Sequence, residues 1–289
     1  MALLEVDDVV VQFGGVTAVD HASFAVEPGR ITGLIGPNGA GKTTCFNVIT
    51  GLQKPTRGHV RFADKDITSL SVHRRSRRGM ARTFQRLEAF GSLTVRENVK
   101  VALDIHRGLK GLVQRSATDI DALLERVGVA AYADERADAI PTGAARLLEL
   151  ARCLAGDPQL LLLDEPSSGL DESETDAFGE LLQELTREGR AILMVEHDMD
   201  LVMGVCDEIH VLDFGKVIAS GRPAEIRTNP AVQKAYLGYS DDDAGAEAPA
   251  EQTRTDLAPV GAGGYADPYD EGATTVIPAV GGPGDQETR

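Results

Sequence analysis

Eight consecutive residues, Gly36-Pro37-Asn38-Gly39-Ala40-Gly41-Lys42-Thr43, are suited to holding an anion. Their glycines let the backbone curl until several N–H groups point inward. A helical run, Thr43–Thr50, follows at once, and its positive end adds to the same field. Lys42 supplies a full positive charge for the outer phosphates of a triphosphate, and the Thr43 hydroxyl can ligate Mg²⁺. Asn38, Gly39, Ala40, Gly41 and Thr44 complete the phosphate-binding set. Farther along, Leu160-Leu161-Leu162-Leu163 ends in two acids, Asp164 and Glu165. At the C-terminal end of a strand beside the loop, Asp164 would hold Mg²⁺, in part through water, and Glu165 would polarise an attacking water. Read singly, the first motif is a glycine-rich turn and the second a capped strand; together they point to triphosphate chemistry.

These residues need strands and helices to position them. Leu3–Phe13 and Val16–Val26 are rich in β-branched residues and joined at Gly14-Gly15, which predicts a hairpin. Ile31–Ile35 is a short apolar run leading into the phosphate loop. Leu160–Leu163 and Ile192–Val195 read as parallel strands buried on both faces. Between them Phe178, Leu181, Leu182 and Leu185 share one helix face, so strand, helix and strand predict a right-handed crossover. Ile209–Leu212 and Val217–Ala219 flank Asp213-Phe214-Gly215-Lys216 and predict a terminal hairpin. The region from about 87 to 158 reads as a helical insertion, with Ile120, Leu123, Leu124 and Val127 at helical spacing and Gly128 as a stop. No internal repeat is seen, so one nucleotide-binding unit is expected.

Composition narrows the function. The chain has 289 residues, 42% hydrophobic and 26% charged, with a formal net charge of -16. That charge argues against a general nucleic-acid binder, which needs a basic face. Cys45, Cys153 and Cys206 are scattered and form no paired motif, which suits reduced cytosolic thiols rather than a disulfide frame or zinc site. No apolar run approaches the ~20 residues of a spanning helix, and the N-terminus shows no signal region, so membrane association is expected through a partner. From Tyr239 to Arg289 there are eleven Asp or Glu and two Arg, with few large apolar residues. Residues 239–289 are therefore expected to form a disordered acidic tail after a nucleotide-binding domain at 1–238. Tyr265–Asp270 within it is a candidate docking motif.

The phosphate loop, Gln85, Asp164-Glu165 and His197 occur in the order found in ABC-transporter ATPases, and the chain resembles that family. The resemblance implies an α/β fold: a P-loop ATPase core with a mostly parallel sheet, an antiparallel β subdomain and an inserted helical subdomain. It implies ATP and Mg²⁺ as ligands. Gln85 matches the glutamine whose carbonyl ligates Mg²⁺ at the start of the helical insertion, His197 the residue that contacts the γ phosphate, and Phe13 the aromatic that stacks on adenine. Ser168-Gly169-Leu170-Asp171 resembles the loop that crosses the dimer interface. The family's signature, normally Leu-Ser-Gly-Gly-Gln, falls here on Ile140-Pro141-Thr142-Gly143-Ala144. Pro141 lacks both hydroxyl and N–H, so Thr142 and Gly143 are the residues left to serve.

Family members pair head to tail, and the altered signature favours pairing with a different ATPase subunit over self-pairing. The resemblance also implies transmembrane permease subunits as partners and a place at the inner face of the cell membrane. Gly79–Gln85, Leu93–Val99, Glu196–Met203, Gly221–Ile226 and Tyr236–Gly238 look like the ATPases of branched-chain amino-acid importers, whereas Asp104–Arg115 is shorter than in many of them. Alternatives are a nucleotide-sensing module that barely hydrolyses ATP and the ATPase of an exporter. Arg74, Arg75, Arg77 and Arg78 form a basic cluster, read as a solvated face, with a partner contact as the other possibility.

Overall fold

The structure is a computed structural model and describes residues 1–85, 87–111 and 119–237. The acidic tail, its Tyr265–Asp270 motif and part of the Asp104–Arg115 segment lie outside the described residues.

Strands β1 (Leu4–Phe13) and β2 (Val16–Val26) form the expected hairpin, pairing from Leu4↔Val26 to Phe13↔Val16. Two strands that the sequence reading missed, β4 (Arg57–Phe62) and β5 (Lys65–Asp66), extend it into a four-stranded antiparallel sheet, order β2-β1-β4-β5. Between them in sequence lie β3 (Ile31–Ile35) and helix α1 (Lys42–Thr50).

A six-stranded sheet has the order β10-β9-β3-β8-β7-β6. Its parallel members are β6 (Met80–Arg82), β7 (Leu160–Asp164), β8 (Ala191–Val195), β3 and β9 (Glu208–Asp213). β10 (Lys216–Gly221) closes it antiparallel to β9, which confirms the terminal hairpin. β7 and β8 are adjacent and joined through α6 (Glu172–Arg187), as the crossover predicts.

All five residues of β3, β7 and β8 are buried. Successive side chains of a strand point to opposite faces, and the two faces here feed two cores. Leu161, Leu163, Ile192 and Met194 pack with Leu148, Leu182, Leu185 and Val202. Leu160, Leu162, Leu193 and Val195 pack with Phe46, Ile49, Val6, Phe24 and Phe62, so α1 lies between the sheets.

The 87–158 region is helical in part. It contains α3 (Val95–Gly111), α4 (Ile120–Arg126), a 3-10 turn at Ala130–Tyr132 and α5 (Thr142–Leu154). Gly128 is left-handed, φ 82°, just beyond the α4 cap, where the sequence places a stop. The short helices α2 (Val72–Ser76), α7 (Met199–Val205), α8 (Pro223–Arg227) and α9 (Pro230–Leu237) complete the fold. Among the described residues no helix is long and apolar enough to cross a membrane.

The basic cluster corrects the reading of a uniformly solvated face. Arg74, Arg77 and Arg78 are exposed, but Arg75 is only 2% exposed. Its guanidinium donates to four carbonyls: Val48 O (2.6 Å), Ile49 O (2.7 Å), Thr68 O (2.9 Å) and Leu70 O (3.0 Å). The first two belong to the C-terminal end of α1, whose partial negative charge a cation relieves.

Candidate functional site

The phosphate loop joins β3 to α1, and its glycines are fixed by crowding as well as by torsion. Gly36, Gly39 and Gly41 have φ of 149°, 81° and 103°. A Cβ on Gly36 would stand 2.0 Å from Leu212 O, and one on Gly41 2.5 Å from Ala18 O. The loop is also tied to the β9–β10 turn, where Gly215 N–H donates to Ala40 O at 3.0 Å. Asn38, Gly39 and Thr43 are exposed and Thr44 half-buried at the mouth, while Ala40 is buried beneath them.

Lys42 is 7% exposed. Its ammonium donates to Gly36 O (2.6 Å) and Pro37 O (3.0 Å), which holds it along the loop. Burial lowers its pKa, and the charges of Glu165 and Asp164 oppose that shift. Phe13 is 51% exposed at the end of the β1–β2 hairpin, opposite Val16. The hairpin end runs beside the loop, since Ala18 O faces Gly41.

The structure brings Gln85, Glu165 and His197 together from three segments. Glu165 Oε1 accepts from Gln85 Nε2 at 3.1 Å and lies 2.9 Å from His197 Nε2. Glu165 itself is left-handed, φ 51°, a conformation that costs a non-glycine residue ~1–2 kcal/mol. Its N–H donates to Val195 O at 2.9 Å, so the strain is held by the neighbouring strand. Asp164, one residue back, is 2% exposed and paired with Arg82 at 2.9 Å. Its N–H donates to the Thr83 hydroxyl at 3.1 Å.

Thr142 and Gly143 are not bonded to this cluster among the described residues. They form the first turn of α5, whose N-terminus has no side-chain cap. Thr142 is exposed, and its methyl group would lie 3.0 Å from a Cβ on Gly169. A Cβ on Gly143 would meet Gly169 O at 2.9 Å and Leu170 Cδ2 at 3.0 Å. The altered signature therefore packs on the Ser168–Asp171 loop of its own chain.

Sequence reasoning missed several residues that hold this site. Glu196 is 4% exposed, and its two oxygens accept from Ser167 N–H (2.8 Å) and His197 N–H (3.0 Å). Arg146 on α5 donates to Phe84 O (2.8 Å), Gln85 O (2.5 Å) and Glu149 (3.1 Å). Glu149 accepts from Glu88 N–H at 2.8 Å, and Arg152 donates to Glu88 O at 2.7 Å. Burial raises the Glu149 pKa, against the pull of Arg146, Arg152 and the Glu88 N–H. The available signal was charge at helical spacing, Arg146, Glu149 and Arg152, facing inward on an otherwise apolar helix.

Comparison with known proteins places the chain in a family. The family model for ABC transporters matches residues 19–168, and that for the branched-chain amino acid ATP-binding cassette transporter matches 216–242. The high-affinity branched-chain amino acid transport ATP-binding protein LivG of Escherichia coli is 42% identical over 251 residues, covering 82% of this chain and 98% of LivG. Its counterpart BraF of Pseudomonas aeruginosa is 40% identical over 249 residues, with the same 82% and 98% coverage. The ADP conformation of MJ1267, an ATP-binding cassette of an ABC transporter, superposes with a TM-score of 0.73 at 31% identity, covering 83% of this chain and 100% of that one. A family match over residues 19–168 and 42% identity to LivG along nearly its whole length show that this chain belongs to the ABC transporter family as an ATP-binding subunit whose ATP hydrolysis is coupled to transport.

Proposed function

We propose that this chain powers the import of branched-chain amino acids or related small solutes, with Glu165 as the base that prepares water for attack on ATP. The observation carrying the catalytic reading is the convergence of Gln85 and His197 on one oxygen of Glu165. The substrate class rests on the relatedness to LivG and BraF and on the match of 216–242.

In this reading the inward N–H groups of Asn38 to Thr44 and the Lys42 ammonium grip the phosphates, and Phe13 stacks on the adenine. Glu165 takes the proton of the attacking water at Oε1 or Oε2. His197 contacts the γ phosphate, and its bond to Glu165 sets the ring's orientation. The oxygens of Thr43, Gln85 and Asp164 form a hard donor set that fits Mg²⁺. Gln85 spends its amide N–H on Glu165, which leaves its carbonyl for a cation. When bound, the ion supplies charge neutralisation to the phosphates.

The partner is a second ATPase subunit, and a different chain is favoured over a copy of this one. Thr142 is exposed at an uncapped helix N-terminus, as a residue offered to a facing subunit would be, with Gly143 buried beside it. A groove of about 360 Å³ between α2, β6, α3 and α5, lined by Val72, Phe84, Ile105 and Cys153, is the seat for a cytoplasmic helix of the permease. Through that contact the subunit works at the inner face of the membrane.

Glu165→Gln tests the catalytic reading. ATP binding should persist while turnover falls at least ~100-fold. Turnover within a factor of two of the parent would remove Glu165 as the base.

A further inference from the structure

Arg82 is used by nothing in the mechanism above, yet it is among the most heavily bonded side chains near the site. Its side chain is 8% exposed, and that of Asp164, its ion-pair partner, is 3% exposed. One terminal nitrogen donates to Asp164 Oδ2 at 2.9 Å. The other donates to Asn47 Oδ1 at 2.7 Å and reaches the Thr50 hydroxyl at 3.4 Å, both on α1. Nε points to Thr83 O at 3.3 Å. The guanidinium plane also lies by two rings, Phe46 of α1 at 5.6 Å and Phe84 beside Gln85 at 5.0 Å.

The consequence is electrostatic. A carboxylate alone in a buried site is an attractive seat for a free divalent cation, whereas a carboxylate already paired is not. Asp164 and Glu165 carry two negative charges, and Arg82 and Lys42 carry two positive ones. Among the described residues no group of three or more His, Cys, Asp or Glu could hold a metal. A bound triphosphate would supply further negative charge to a metal at Asp164.

We propose that Arg82 is a positioning residue that keeps Asp164 closed to a free divalent cation, so that metal enters this site only together with the nucleotide. The proposal rests on the reading of Asp164 as the metal carboxylate. Held at both ends by α1 and Asp164, the guanidinium cannot swing away without breaking its bonds to Asn47 and to Asp164 together. Stacking against Phe84 places the same group against the segment carrying Gln85.

The experiment uses the full chain and Mn²⁺ as the probe, titrated by electron paramagnetic resonance with and without ATP. In the parent protein, Mn²⁺ alone should bind at least ~100-fold more weakly than Mn²⁺ with saturating ATP. Arg82→Met, which fills the space without charge, and Arg82→Gln, which keeps a donor to Asp164, should each bind free Mn²⁺ at least ~10-fold more tightly than the parent. Arg82→Lys keeps the charge and should bind free Mn²⁺ as weakly as the parent does. In EDTA, a fluorescent ATP analogue should bind the two neutral variants more weakly, because the Asp164 charge is then unmasked. The proposal is overturned if the parent binds Mn²⁺ equally well with and without ATP, or if both neutral variants match the parent towards free Mn²⁺. Asp164→Asn separates the two layers. If it leaves Mn²⁺ binding with ATP unchanged, the assignment of Asp164 fails and this proposal falls with it. If it weakens that binding while the Arg82 variants change nothing, only the proposal falls.

Discussion

Glu165 shows how one residue can carry both strain and chemistry. Its left-handed backbone follows directly from the end of β7, and the turn aims the carboxylate at Gln85 and His197. The cost is borne by β8 through the Val195 carbonyl, so the aim is fixed before substrate arrives. Lys42 illustrates the opposite arrangement. It lies buried against its own loop and is held there by two carbonyls that any phosphate must outcompete. Lys42→Ala should therefore weaken ATP binding at least ~100-fold, read by equilibrium titration with a fluorescent analogue. Retained affinity would mean that the backbone N–H groups alone grip the nucleotide.

At the level of elements, α1 is a nine-residue rod anchored at both ends. Its N-terminus opens onto the Gly36–Gly41 loop, and its C-terminus is capped by Arg75 from α2. Burial pushes the Arg75 pKa down to about 10, and it stays charged at neutral pH. Arg75→Met removes the guanidinium from two buried and two part-buried carbonyls, and we expect a loss of ~2–4 kcal/mol in chemical denaturation. A change under ~0.5 kcal/mol, the range of ordinary surface substitutions, would show that water replaces the guanidinium at no cost. Helix α5 does comparable work for the glutamine loop. Arg146, Glu149 and Arg152 hold the backbone groups of Phe84, Gln85 and Glu88, which fixes Gln85 relative to the altered signature at the same helix's N-terminus.

For the whole molecule, the two sheets must stay in register, and His210 is one of the residues between them. Its ring is 5.2 Å from that of Phe24, and its nitrogens meet Ser220 Oγ at 2.8 Å and Ala25 O at 3.4 Å. Burial lowers its pKa, with Glu208 and the Ala25 carbonyl opposing. A lowered folded-state pKa means that the unfolded chain binds the proton more readily. The contribution is therefore complete above the unfolded value of ~6.5 and lost as pH falls through the folded pKa. Denaturation midpoints should drop between pH 7.5 and 5.5, and His210→Gln should flatten that slope; an unchanged slope would assign the acid sensitivity elsewhere. Assembly is the second property at this scale. If the proposed pairing with a different ATPase subunit holds, an equal mixture with that subunit should hydrolyse ATP at least ~10-fold faster per subunit than this chain alone. Equal rates would favour a working pair built from this chain and its copy.

Local order was legible because it is written in consecutive residues. The phosphate loop, the apolar strands and the two hairpins follow from glycine torsions, strand periodicity and turn composition, and β2 and β3 begin and end where the sequence predicts. The strand β4 was not legible because Gly58 and the polar Arg57, His59 and Arg61 leave it no apolar run, and β5 and β6, of two and three residues, carry too little pattern to separate from loop. The cluster of four arginines gave no sign that only Arg75 turns inward, because the carbonyls that claim it lie on α1 and in the Thr68–Leu70 turn. Arg82 finds Asp164 across 82 residues of chain, and Arg146 finds Phe84 across 62. Residue types set which chemistry this chain can perform. Tertiary structure alone chose which buried charges face one another, because pairing energy depends on distances that only the folded sheets define.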